Sequence, residues 1–279
     1  MKYLIWYPSG GFGHFIVSYI SNYCNNFARF NKVGAFSKNG DSHLSSMYWP
    51  SYRHRQWDGH DDMFSSNKNY AVLVDNGINN EGEEFKLLFP GACTIKICYD
   101  DHSWPVIART MIEKAWPGKS FDQELDISPN WSTDTEVAYR EKYFLFLRDH
   151  EFRHRWKPNH IDSTLNIGDL IDFSRFRSTL ASIGVISDSQ ASHYWNQWLA
   201  ANWEYILPVN KASKVMYCIK NNIDYDINDM TIWQQGVLCY YLFLEFNFEL
   251  PFNDYSNWFT NVSKLRNMLI SHGVNIDSN

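Results

Sequence analysis

The sequence predicts an α/β fold: a mostly parallel sheet flanked by helices in three layers, with a helical C-terminal part. Three observations lead there. Short apolar runs ending at turn residues recur in the first half of the chain. Stretches with helical spacing separate them, and strands joined by helices pair in parallel through crossovers. From Ser189 onward the apolar spacing is helical alone. The expected organisation is an α/β core over residues 1–186 and a helical part over 187–279 packed on it.

Lys2 to Tyr7 (KYLIWY) reads as a buried strand stopped by Pro8-Ser9-Gly10-Gly11. Phe15 to Phe27 carries Phe15, Ile16, Tyr19, Ile20 and Tyr23 on one helical face. Asn31 to Asn69 is polar, with few periodic signals, and reads as a long excursion. Tyr70 to Val74 is a second strand, ending at Asp75-Asn76-Gly77. Thr94 to Tyr99 is a third, ending at Asp100-Asp101. Ser103 suits an N-cap and Pro105 a first helical turn, so Trp104 to Trp116 reads as a helix stopped by Pro117-Gly118. Glu136 to Phe152 is a long helix with alternating charge. Thr164 to Ile167 is a short fourth strand, and the helix over Arg175 to Ile183 ends at Gly184. Further on, Trp195, Trp198, Leu199, Trp203 and Ile206 share one face, as do Trp233, Val237, Tyr240, Tyr241 and Leu244.

Composition bounds the function. Of the 279 residues, 44% are hydrophobic and 20% charged, which is globular and not disordered. A net charge of −6 excludes a broad basic nucleic-acid surface. Aromatics reach 17%, and because they spread along the whole chain they read first as core. Cys24, Cys93, Cys98, Cys218 and Cys239 are odd in number and lack C-x-x-C spacing, so they read as reduced thiols of a cytoplasmic protein. Met1 to Tyr7 is too short for a signal segment. Gly236 to Phe248, broken by Glu245 and Asn247, reads as a buried helix and not a membrane span.

In open parallel sheets, ligands bind beyond the carboxyl ends of the strands. Three strand ends here are polar, glycine-containing or acidic: Pro8 to His14, Asp75 to Gly77, and Asp100 to Ser103. In the first, Ser9, Gly10, Gly11, Phe12 and Gly13 form a turn that lets backbone approach a ligand, and a helix follows. Helix-start amides and the helix dipole then favour a phosphate or sulfate. His14 is placed to donate a hydrogen bond or to act as a base. The alternative is a tight strand-to-helix turn without a ligand. The turn lacks the Lys and Ser/Thr of G-x-x-x-x-G-K-[ST], and Ile16 stands at the last position of G-x-G-x-x-G.

Strand, Tyr7-Pro8-Ser9-Gly10-Gly11 and helix together resemble the phosphosulfate-binding loop of sulfotransferases, which reads Tyr-Pro-Lys-Ser-Gly-Thr-Thr after the first strand. Thr94 to Lys114 is similar to that family's second nucleotide segment, and Asn166 to Gly184 to its later strand, acidic and helix segment. The three occur in family order over residues 1 to 185. Ser9 stands where the family has Lys, and Asp100 near its Arg, with Arg109 as the nearby cation. The resemblance implies a P-loop-like fold with a phosphorylated adenylyl sulfate as donor. Residues 9 to 14, Ser103 and Arg109 would hold that donor. The sulfuryl group would pass to a hydroxyl of a small molecule or glycan, with His14 or His102 as base and no metal. A second, six-residue likeness joins Gly10 to Phe15 to the Gly-Gly-Leu-Gly-Asn-Gln loop of fucosyltransferases, which implies a nucleotide-sugar donor. A third reading is a P-loop-fold protein that binds or assembles without catalysis.

Other polar groups carry two readings each. Asp100, Asp101 and His102 form either a carboxylate-oriented base or a helix cap. Asp75 and Asn76 either bond substrate hydroxyls or close an Asx turn. His150 and His154 share a helix face but fall among charges that suggest a solvated surface. Arg140 and Arg148 either reach an anion or pair with surface acids.

Overall fold

The structure is a computed structural model that describes residues 1–7, 12–28, 67–75, 86–87, 89–115, 133–149, 161–250 and 260–276. Contacts divide the chain into two units. The first holds residues 1–100, 114–117 and 155–203, and the second 101–113, 118–154 and 204–279.

The first unit contains four strands: β1 (Lys2–Tyr7), β2 (Tyr70–Asp75), β3 (Cys93–Cys98) and β4 (Ser163–Asn166). They form one all-parallel sheet in the order β2-β1-β3-β4. The α/β expectation therefore holds. The register runs Tyr7↔Asp75 between β1 and β2, Trp6↔Lys96 between β1 and β3, and Cys98↔Asn166 between β3 and β4. Tyr3, Leu4, Ile5, Trp6 and Tyr7 are each at most 5% exposed. Both faces of β1 are thus covered, which is why its sequence is an unbroken apolar run and not an alternating one.

Helix α1 (Gly13–Tyr23) follows β1 and buries the predicted Phe15, Ile16, Tyr19 and Ile20. Its start lies two residues before the sequence expectation, because the helix begins inside the glycine turn. Its end comes earlier as well. Cys24 is extended and bridges Ser187, which stops the helix. Three more helices of this unit are α4 (Ile167–Leu170), α5 (Phe173–Ser182) and α6 (Ala191–Ala201), which follow α2 (Trp104–Ala115) and α3 (Thr133–Asp149) in the chain. The Asp172 carboxylate caps α5 by accepting from the Ser174 and Arg175 amides. Gly184, at φ 81°, closes it where a Cβ would be strained.

The aromatic richness of this unit is core. Phe15 stacks on Trp198 with centroids 4.2 Å apart, and Tyr23 stacks on Tyr194 at the same distance. The Phe176 ring lies 4.7 Å from Tyr19. Their polar edges are satisfied. Tyr194 donates to Ser18 Oγ at 2.7 Å, the Tyr19 and Ser187 hydroxyls meet at 2.8 Å, and Trp195 Nε1 donates to the Leu170 carbonyl at 2.8 Å. Burial pushes the Tyr19 and Tyr194 hydroxyls up to about 12, so both stay neutral.

At the amino edge of the sheet, Asp162 staples β3 to the start of β4. Its carboxylate accepts from the Thr94 amide at 2.7 Å and the Thr94 hydroxyl at 2.8 Å, and Lys86 Nζ lies 2.9 Å away. Burial pushes the carboxyl up, but the Thr94 amide, the Lys86 ammonium and the Thr94 hydroxyl together hold it below the ordinary aspartate value. A folded-state pKa below the unfolded value of about 3.9 gives stability that is present above that value and lost as pH falls through the folded one. We therefore expect Asp162→Asn to lower stability at neutral pH, with the difference from wild type shrinking below about pH 4. Urea unfolding at the two pH values checks this. A difference that stays constant would show that the carboxylate is not the group concerned.

The second unit is helical: most of α2 (Trp104–Ala115), α3 (Thr133–Asp149), most of α7 (Trp203–Lys220), α8 (Ile232–Phe246) and α9 (Val262–Ser271). Trp104 Nε1 donates to the Leu147 carbonyl at 3.1 Å, tying α2 to α3. A capping box starts α8: Thr231 Oγ1 accepts from the Gln234 amide, and Gln234 Oε1 accepts from the Thr231 amide. The helix ends at Asn247, which is left-handed at φ 50°. Of the apolar stretch 236–248, residues 236–246 are helical and buried as far as Leu242, while Asn247 and Phe248 lie past the helix end. Among the described residues, no helix is long and apolar enough to cross a membrane.

Candidate functional site at the carboxyl edge of the sheet

The strand order has a mechanical consequence. From β1 the chain passes to β2 on one side, and from β3 it passes to β4 on the other. Connections that leave adjacent strands in opposite directions open a crevice beyond their carboxyl ends, where doubly wound sheets bind ligands. The strand order places that switch between β1 and β3. Tyr7 and Asp75 end paired strands on this edge, and Cys98 and Asn166 end the next two.

Helix α1 starts at the same edge. Its N-cap Phe12 adopts φ 59° and ψ 22°, a left-handed backbone that costs a non-glycine residue about 1–2 kcal/mol. Packing holds it there: Phe12 is 8% exposed, and its ring meets Trp198 edge-on at 5.2 Å. The apolar Phe12 side chain gives the helix no cap hydrogen bond. The first helical bond runs from the Ile16 amide to the Phe12 carbonyl, so the Gly13 to Phe15 amides point out of the helix end. The dipole of an eleven-residue helix adds partial positive charge there.

His14 stands in the first turn, half-buried. Its Nε2 lies 3.4 Å from the Tyr7 hydroxyl, and the two rings meet edge-on with centroids 5.6 Å apart. Tyr7, from the buried strand, therefore orients the histidine. The sequence reading missed this partner because a strand tyrosine in an apolar run looks like core. Position was the available signal, since Tyr7 is the last residue before the turn.

The structure thus brings Tyr7, Phe12, Gly13, His14 and the ends of β2 and β3 to one edge. Ser9, Gly10, Gly11 and Asn76 lie outside the described residues, as do His150 and His154. Asp75 closes β2, and Asp100 follows β3, exposed.

Asp101, His102, Ser103 and Arg109 belong to the second unit and form a setting of their own. A carboxylate that faces His102 is Glu245, at 3.4 Å from Nε2. Lys220 pairs with the same Glu245. Tyr241 donates to the His102 carbonyl and meets its ring edge-on at 4.9 Å. Sequence distance hides this arrangement, because Glu245 is 143 residues away. Ser103 is buried just before α2, and its carbonyl accepts from the Val106 amide. Arg109 donates to the Glu204 carbonyl at 3.5 Å and lies over the Tyr205 ring at 5.5 Å.

The two arginines of α3 resolve differently. Arg148 pairs with Asp149 at 2.6 Å and Glu249 at 2.8 Å, as a surface cation would. Arg140 is buried and donates from Nε to Gln235 Oε1 at 2.6 Å.

All five cysteines are free, four of them buried. Burial pushes the Cys24 thiol up to about 12, which makes it inert. Among the described residues, no group of three or more His, Cys, Asp and Glu side chains is arranged to hold a metal ion.

No family model, curated protein or solved structure matches this chain.

Proposed function

We propose that the carboxyl edge of the sheet binds a phosphate- or sulfate-bearing nucleotide, and that this nucleotide is the donor in a transfer to a hydroxyl. The donor in this reading is a phosphorylated adenylyl sulfate, as the sulfotransferase resemblance implies. One observation carries the proposal: the start of α1, with the left-handed Phe12 and Gly13, follows β1 at the carboxyl edge of an all-parallel sheet whose order reverses between β1 and β3. The turn and the Gly13 to Phe15 amides would hold the phosphate. His14, set by Tyr7, would serve as the base at this edge.

A second reading has an observation of its own. Residues 8 to 14 contain no Lys or Arg, which favours binding without catalysis.

A thermal-shift panel with adenosine 3′,5′-bisphosphate, UDP, GDP and ATP separates the readings. A ligand that binds only the native state raises stability by mass action, about 2.7 kcal/mol at a hundredfold excess over Kd. The proposal expects a shift with the bisphosphate that Gly11→Asp abolishes by setting a carboxylate in the turn. A shift with UDP or GDP alone would replace it with glycosyl transfer. A flat panel would leave the non-catalytic reading.

A further inference from the structure

Helix α7 carries a proline in its interior, Pro208. It stands past the first turn, so it is not at the start position where a missing amide hydrogen is harmless. In a regular helix the amide of residue 208 bonds the carbonyl of residue 204. Proline has no such hydrogen, and its ring presses on that same carbonyl. The Glu204 carbonyl therefore lacks its helical donor. The other end of this turn is also a break, because α6 ends at Ala201, just before α7 begins at Trp203. The first turn of α7 thus lies between a helix end and a proline.

A donor reaches this turn from α2. Arg109 Nη1 lies 3.5 Å from the Glu204 carbonyl oxygen, and the guanidinium lies over the Tyr205 ring, 5.5 Å from its centroid. Both contacts come from one side chain and fall on consecutive residues of the turn. Arg109, Glu204, Tyr205 and Pro208 all belong to the second unit. Tyr205 is 3% exposed, so its ring is a fixed platform. A planar guanidinium stacks on such a ring while its edge donates sideways. We infer that Arg109 is a conformational clamp: its guanidinium stands in for the amide hydrogen that Pro208 lacks and holds the first turn of α7 helical. This gives Arg109 a role other than the donor contact implied by the sulfotransferase resemblance. Lysine would not serve, because a compact ammonium has neither the flat face nor the fork.

A double-mutant cycle tests the clamp, because Pro208→Ala restores an amide at position 208. The chains are wild type, Arg109→Met, Pro208→Ala and the double variant, with Arg109→Lys beside them. Arg109→Met should lower the melting temperature by about 2–4 °C in the presence of Pro208. In the Pro208→Ala background it should lower it by less than half as much, since the Glu204 carbonyl then has its helical donor. Arg109→Lys should fall with Arg109→Met and not with wild type. Amide exchange supplies the local reading. The Val209 and Asn210 amides bond the Tyr205 and Ile206 carbonyls in a regular helix, so they report whether the turn is closed. Arg109→Met should speed their exchange about tenfold relative to the amides of α8, and only where Pro208 is present. In Pro208→Ala, the new amide at 208 should exchange slowly. Equal losses of melting temperature in the two backgrounds would make Arg109 a general packing residue and overturn the clamp. Unchanged exchange at Val209 in Arg109→Met, or fast exchange of the new amide at 208, would overturn it as well.

Discussion

Trp198→Ala is expected to lose about 3–5 kcal/mol of stability, the range for removing a large aromatic from a core. Trp198 is 1% exposed, stacks on Phe15 at 4.2 Å and meets the Phe12 ring at 5.2 Å. Its loss opens a cavity directly under the start of α1. The damage should therefore be local as well as global. Phe12 is held left-handed by packing, and without Trp198 that backbone has less to hold it. Chemical denaturation measures the global term, and amide exchange of Ile16, bonded to Phe12, measures the local one. A loss below about 1 kcal/mol would mean that the aromatic cluster is not the core of this unit.

Gly236→Val should be nearly as damaging, for the opposite reason. Gly236 lies inside α8, and a Cβ there would stand 2.7 Å from Tyr143 Cβ on α3. Overpacking a tight contact costs about 1–3 kcal/mol, and the branched side chain sits at the upper end. A glycine inside a helix ordinarily loses about 1 kcal/mol relative to alanine, so Gly→Ala at an open helical site stabilises. Gly236→Ala should destabilise instead. Comparing the two substitutions by urea unfolding tests whether α3 and α8 approach as closely as this. Stabilisation by alanine would contradict it.

Periodicity carried the elements because apolar runs and turn residues are local signals. β1 was legible at both ends, since Pro8 cannot continue a strand and Lys2 begins the run. Gly184 was legible as a helix stop because a left-handed position selects glycine. Boundaries set by contact were not. The end of α1 depends on the Cys24–Ser187 bridge, and that pairing leaves no local mark. Strand order was not legible either, so the β1/β3 switch appeared only with the structure. The site residues divide in the same way. His14 stood out by its place after the glycines, whereas Tyr7 needed the 3.4 Å contact to be noticed. His102 was singled out beside Asp101, and the structure faced it with Glu245.

The most direct test of the central claim is a two-dimensional amide spectrum of the labelled protein, titrated with adenosine 3′,5′-bisphosphate. The account predicts saturable shifts at Tyr7, Gly13, His14 and Phe15, with the Thr94 and Asp162 amides at the opposite edge unmoved. No shifts at saturating ligand, or shifts centred on Thr94 and Asp162, would contradict it.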